Sequence, residues 1–177
     1  MLTGLFSSQT NKTTLTVGVS VSAAELHVVA IDYDNSTVSL SSVSSVPFDP
    51  RQSLDKQVND ALTAFEKAPC RVSVVLSQDM YHMVQVEKPD VPEEDVTTAL
   101  PWTLGDLVPY DASNIVLDYI DYPVQTRTGA KKIDVFAAEK SSLSAVVESM
   151  SKRKGQTLTH IHTKEVLATE MVPDDDY

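Results

Sequence analysis

Apolar and polar residues alternate from Leu15 to Ser22, with Leu15, Val17, Val19 and Val21 on one side and Thr16, Gly18, Ser20 and Ser22 on the other. That period of two predicts a half-buried strand. Ser22 to Glu25 reads as a turn. Leu26 to Ile31 follows as a nearly continuous apolar strand, the pattern of a central strand. Asp34-Asn35-Ser36 predicts a second turn, and Thr37 to Val46 a serine-rich strand closed by Pro47 and Pro50. The period then changes. Leu54, Val58, Ala61, Leu62 and Phe65 recur at helical spacing behind Ser53, a suitable N-cap, and Pro69 ends the helix. "RVSVVLS" (71–77) reads as a buried strand parallel to the first. Three meandering strands, a crossover helix and a parallel strand are the ribonuclease-H-like order.

The next block has another pattern. "MYHMVQVEKP" (80–89) is a strand, and "VPEEDVTTALPWTLGDLV" (91–108) opens with the proline and acids of a helix N-terminus. Val96, Ala99, Leu100, Thr103, Leu104 and Leu107 share one face, and Pro101 should kink the helix or start a second one. "NIVLDYIDYP" (114–123) and "KKIDVFAAE" (131–139) are strands joined through Thr128-Gly129. Leu143, Val146, Val147 and Met150 then mark a helix with Gly155 as its C-cap. "QTLTHIHT" (156–163) is a last strand, and "KEVLATEMV" begins a last helix. The expected architecture is α/β. It has a flexible tail at 1–14, a core subdomain at 15–77 and 139–177, and an inserted strand-helix-strand-strand subdomain at 78–138.

Composition narrows the function classes. A net charge of −11 argues against nucleic acid and against an anionic membrane surface. The single cysteine, Cys70, cannot form an internal disulfide. No apolar run reaches the roughly 20 residues that span a bilayer, and the first residues lack the pattern of a signal peptide. The expectation is a cytoplasmic protein with no direct membrane insertion. The five glycines form neither a dinucleotide fingerprint nor a Walker A loop. A magnesium-dependent nuclease or phosphotransferase of this strand order needs an acid on the first strand, which offers only Ser20. Asp118 and Asp121, three apart on a strand, point to opposite faces. His160 and His162 share a face, but a metal site there would need a third ligand from elsewhere in the chain. Trp102, the only tryptophan, falls off the centre of its helix stripe. It either packs over the helix edge or anchors a partner.

These residues resemble a family. "VGVSVSAAELHVVAI" is similar to the first two strands of the PilM group of actin-like pilus-assembly proteins, which typically read "IGIDIGSSSIKAVEL". The segment 74–123 resembles their inserted subdomain, with a strand ending in proline, a Pro-Glu-Glu helix start, a mid-helix aromatic and a "(L/V)DY" strand. Its short "PWTLGDLVPYD" form is similar to the MshI branch, from the mannose-sensitive haemagglutinin (MSHA, type IV) pilus. The cytoplasmic domain of the type II secretion protein GspL is a more distant relative. The resemblance implies the first half of an actin-like fold, and a scaffold at the cytoplasmic face of the inner membrane. That scaffold would bind the short N-terminal segment of a bitopic PilN-like partner and help dock the assembly ATPase.

The departures from the family bear on chemistry. Ser20 and Ser22 stand where ATP-binding members carry the metal-orienting aspartate and the phosphate-loop glycine. The half of the fold that would complete a nucleotide pocket is expected to be absent from these 177 residues. No ATP or magnesium cofactor, no metal and no catalytic residue are expected. The alternative is an actin-like ATPase completed by a missing C-terminal half or by homodimerisation. Partner-contact candidates in the groove between core and insert are Trp102, Leu104, Tyr119 and Phe136.

Overall fold

A computed structural model describes residues 14–34, 37–121, 129 and 131–170. The expected tail, the Asn35-Ser36 turn, Thr128 and the terminal acids therefore lie outside the described residues, apart from Thr14. In chain order the elements are β1 (Thr14–Val21), β2 (Glu25–Asp34), β3 (Thr37–Pro47), α1 (Leu54–Ala61), β4 (Cys70–Val75) and β5 (Tyr81–Glu87). They continue with α2 (Val96–Leu104), β6 (Ile115–Asp121), β7 (Lys132–Glu139), α3 (Lys140–Ser151), β8 (Gln156–His162) and α4 (Lys164–Glu170).

Two sheets form. The first runs β3-β2-β1-β4-β8, with β1–β2 and β2–β3 antiparallel and β4 parallel to both β1 and β8. This is the strand order read from the sequence. The alternation in β1 sends Val17, Val19 and Val21 to one face. There they meet Leu26, Val28 and Ala30 of β2, Val72 and Val74 of β4, and the inner stripes of α1 (Val58, Ala61) and α3 (Val146, Met150). Most of these side chains are fully buried, each worth about 1.5–3 kcal/mol in apolar transfer. β2 is not buried on both faces as its apolar run suggests. Val29 and Ile31 are only half-buried, because both helices pack on the opposite side of the sheet.

The second sheet, β5-β7-β6, is antiparallel throughout and built wholly from residues between β4 and α3. One face, through Ile133, Val135 and Ala137, packs on Val96, Leu100 and Leu104 of α2. The other face, through Tyr81, Phe136 and Ala138, joins the core of the first sheet. Each sheet thus has its own core, and Phe136 stands at the seam.

Local details depart from the sequence reading. Ser53 takes the N-cap position of α1 without a side-chain cap bond. Buried Gln57 instead ties down the loop before the helix: its amide donates to the Asp49 and Gln52 carbonyls and accepts from the Asp49 amide. The helix over 91–108 is shorter than expected. Pro101 sits inside α2 without ending it, and Gly105, at φ 45°, stops it instead. The chain then makes a single 3-10 turn, which leaves Leu107 exposed while Val108 enters the core. Gly155 is not the C-cap of α3, which ends at Lys152. It lies in the turn into β8 at φ 79°, with the Pro69 backbone 3.7 Å from where a Cβ would stand.

Candidate functional site

Two places carry what the sequence singled out. The first is the β1–β2 turn. The Ser22 hydroxyl donates to the Glu25 carbonyl at 2.7 Å and accepts from the Glu25 amide at 3.0 Å, while the Ser22 amide donates to the same carbonyl at 2.9 Å. The turn is closed on itself, and two of its amides are spent within it. Ser20, half-buried and opposite His27, brings no charge to the sheet. A metal–triphosphate needs a carboxylate for its cation and free amides for its phosphates. Neither Ser20 nor Ser22 supplies the former, and Ser22 consumes the latter. Among the described residues no three His, Cys, Asp or Glu side chains converge as metal ligands. His160 and His162 stack on each other at 5.0 Å between centroids, and His82 packs edge-on to Tyr110. Cys70 is buried, which pushes its thiol pKa up and leaves it a poor nucleophile.

The second place is a groove of about 670 Å³ between the two sheets. Its walls are Phe136 and Val116 of the insert, Leu143 and Val147 of α3, Ile161 of β8 and Tyr81 at the start of β5. The walls are mainly apolar, with Lys140, Asp118 and Glu148 as the charged residues of the lining and Ser144, Ser151 and Thr163 as its hydroxyls.

The four candidate contacts separate. Phe136 lines the groove. Tyr119 does not face it, because β6 alternates: Val116, Asp118 and Ile120 share the groove face with Phe136, while Tyr119 sits with Ile115 and Leu117 towards α2. There its hydroxyl donates to Glu93, and Lys88 lies 5.0 Å from the ring centroid. Lys88 also donates to Glu93 and Asp121, and the Glu93 bond first of all holds its pKa up. Leu104 is buried in the core of the insert. Trp102 is 80% exposed on the outer side of α2, beside Pro109 and Tyr110. One of the residues that do line the groove carried a faint sequence signal. Val116 made β6 apolar on both faces, whereas Val147 fits the single apolar stripe of α3 and gave no separate signal. Val147 is nevertheless half exposed.

Tyr81 locks the insert to the core beside the groove. Its hydroxyl donates to Glu165 of α4, and Gln78 donates to the same carboxylate at 3.0 Å. Burial first, then the Glu165 bond, pushes the Tyr81 pKa up to about 12. Burial pushes the Glu165 carboxyl up, but the bonds from Tyr81 and Gln78 outweigh it and leave the pKa lowered. The folded state therefore holds the Tyr81 proton where the unfolded chain has released it. Stability from this contact is complete below pH 10 and is lost as pH rises towards about 12. An alkaline denaturation series should show this loss, and Tyr81→Phe should flatten it over that window; an unchanged slope would refute the linkage.

With this geometry in place, the chain can be set beside solved structures. The cytoplasmic domain of EpsL, an inner-membrane component of the type II secretion system of Vibrio cholerae, matches at TM-score 0.62 and 15% identity, over 88% of this chain and 59% of that one. A PilM–PilN type IV pilus biogenesis complex matches at TM-score 0.63 and 18% identity, over 88% and 48%. A Bacteroides thetaiotaomicron protein with an actin-like ATPase fold and unknown function matches at TM-score 0.53 and 13% identity, over 94% and 58%. The chain has the actin-like fold. It spans between 48% and 59% of the length of those three chains. No protein-family model matches the sequence, and no curated protein does. Within the actin-like fold, β1 and β2 form the hairpin closed by Ser22, and the β5-β7-β6 sheet forms the insert beside the groove.

Proposed function

We propose that this protein is a non-enzymatic adaptor of a type IV pilus assembly, of the MSHA type. It works at the cytoplasmic face of the inner membrane, where its groove holds the N-terminal cytoplasmic segment of a PilN-like bitopic protein. The observation that carries the reading is the apolar groove between α3, β8 and the insert sheet, with Phe136 at its floor. The likeness in fold to PilM, solved with PilN, supports the choice of partner. The self-closed turn at Ser22 and the uncharged Ser20 support the absence of ATP chemistry. The assembly ATPase is a second candidate partner of the assembled complex.

Titration of a synthetic partner segment into the full chain tests the groove. Val147→Glu places a carboxylate on its half-exposed wall. Burying that charge under an apolar segment costs more than the contact returns, so binding should fall at least about tenfold, equivalent to about 1.4 kcal/mol. Stability should change by less than about 0.5 kcal/mol, as for other surface positions. Unchanged affinity would move the partner elsewhere. Calorimetric titration with Mg-ATP should give no binding heat, and micromolar affinity would restore the ATPase alternative.

A further inference from the structure

β3 is an edge strand with an unusual surface. All of Thr37–Pro47 except Val46 is exposed, and none of its residues is charged, in a chain of net charge −11. Edge strands ordinarily carry lysine, inward charges or short lengths that block pairing with another chain. β3 is 11 residues long, and the only such devices it has are a terminal proline and one bulge.

The apolar residues of β3 up to Val43 face away from the helices. Val43 pairs with Val29, Leu40 with Ile31 and Val38 with Tyr33, whereas Ser39, Ser42 and Ser44 lie on the helix side with half-buried Val46. Val38, Leu40, Val43 and Tyr33 are each about half to two-thirds exposed. The register shift opposite Ala30 and Ile31 leaves Ser41 unpaired on β2, and it puts Leu40 and Val43 on the same face despite their odd spacing.

That bulge makes the strand self-complementary. A two-fold axis between Ser41 and Ser42 sets Leu40 of one copy opposite Val43 of the other. It also sets Val38 opposite Ser45 and Ser39 opposite Ser44, every pair matched in face. We infer that β3 is a homodimer interface, in which a second copy of this chain adds its β3 antiparallel across that axis. The charge distribution favours a second copy: two strongly acidic molecules can approach only through a neutral surface, and β3 is one. Such a contact is isologous and closes as a dimer. The two sheets become one, and because β8 is at the far end of each sheet, the two grooves point outwards, free to hold two partner segments at once.

Sedimentation velocity of the full chain over a concentration series should show twice the monomer mass. A Leu40→Lys, Val43→Lys double variant should halve that mass with an unchanged far-UV spectrum. A chain that stays monomeric at every concentration, or a double variant that still dimerises, overturns the interface. Register is tested separately. Facing residues of an antiparallel pair lie within disulfide range, and native Cys70 is buried. Leu40→Cys mixed with Val43→Cys should cross-link on mild oxidation several-fold more than either variant alone. Equal cross-linking by Leu40→Cys alone overturns the register.

Discussion

Phe136→Ala should destabilise the protein by about 3 kcal/mol, the cost of emptying a buried aromatic site. The ring is 7% exposed at the seam between the sheets and lies tilted against Tyr81 at 6.3 Å between centroids. Its truncation removes contacts on both sides, so little else can collapse into the space. The loss should appear in chemical denaturation as a lowered midpoint with a steady slope. Under the proposed function, it should also weaken partner binding, because the groove loses its floor. Phe136→Leu, which keeps most of the apolar volume, should recover the larger part of both. A stability change under 1 kcal/mol would mean that the two sheets pack independently of this residue.

Arg153→Ala should cost about 1.5–3 kcal/mol, the range for hydrogen bonds made by a charged group. The guanidinium donates to the Asn59 side chain at 3.0 Å, to the Leu62 carbonyl at 3.0 Å and to the Gln156 side chain at 2.5 Å. Buried Gln156 in turn donates to the Phe65 carbonyl at 2.8 Å. The Leu62 and Phe65 carbonyls, which also accept from the Phe65 and Ala68 amides, thus gain second partners from the segment that joins α3 to β8, far away in sequence. The positive charge is also well placed at a helix C-terminus. Arg153→Lys should recover only part of the loss, because an ammonium group cannot fork to three acceptors in one plane. Thermal melts compare the two variants directly, and a lysine variant as stable as the parent would refute the role of the fork.

The same contrast runs through the whole molecule. Strand order in the first sheet was legible because local signals agreed. The alternation of Val17, Val19 and Val21, the turn at Ser22, the prolines after Val46 and the stripe of α1 all specify one arrangement. The insert was legible for the same reason, and so was the loss of charge at Ser20. Periodicity could not tell which of two apolar faces would be covered. Val29, Leu40, Val116 and Val147 read as core residues or as surplus, and their exposure depends on where α1, α3 and the insert stop. Nor could it place Tyr119. One step of alternation on β6 turns that ring to α2 and Val116 to the groove, and the register with β7 sets that step. Ser53 took the N-cap position its type suggested, though without a side-chain cap bond, whereas Gly155 looked like a helix cap and instead met Pro69 in the turn into β8. The sequence by itself determined the elements and their order, since those follow from side-chain type and local spacing. The groove, the bare face of β3 and the Arg153 clamp were decided only by tertiary structure. Each depends on residues brought together from distant parts of the chain, and on which surfaces the packed elements leave uncovered.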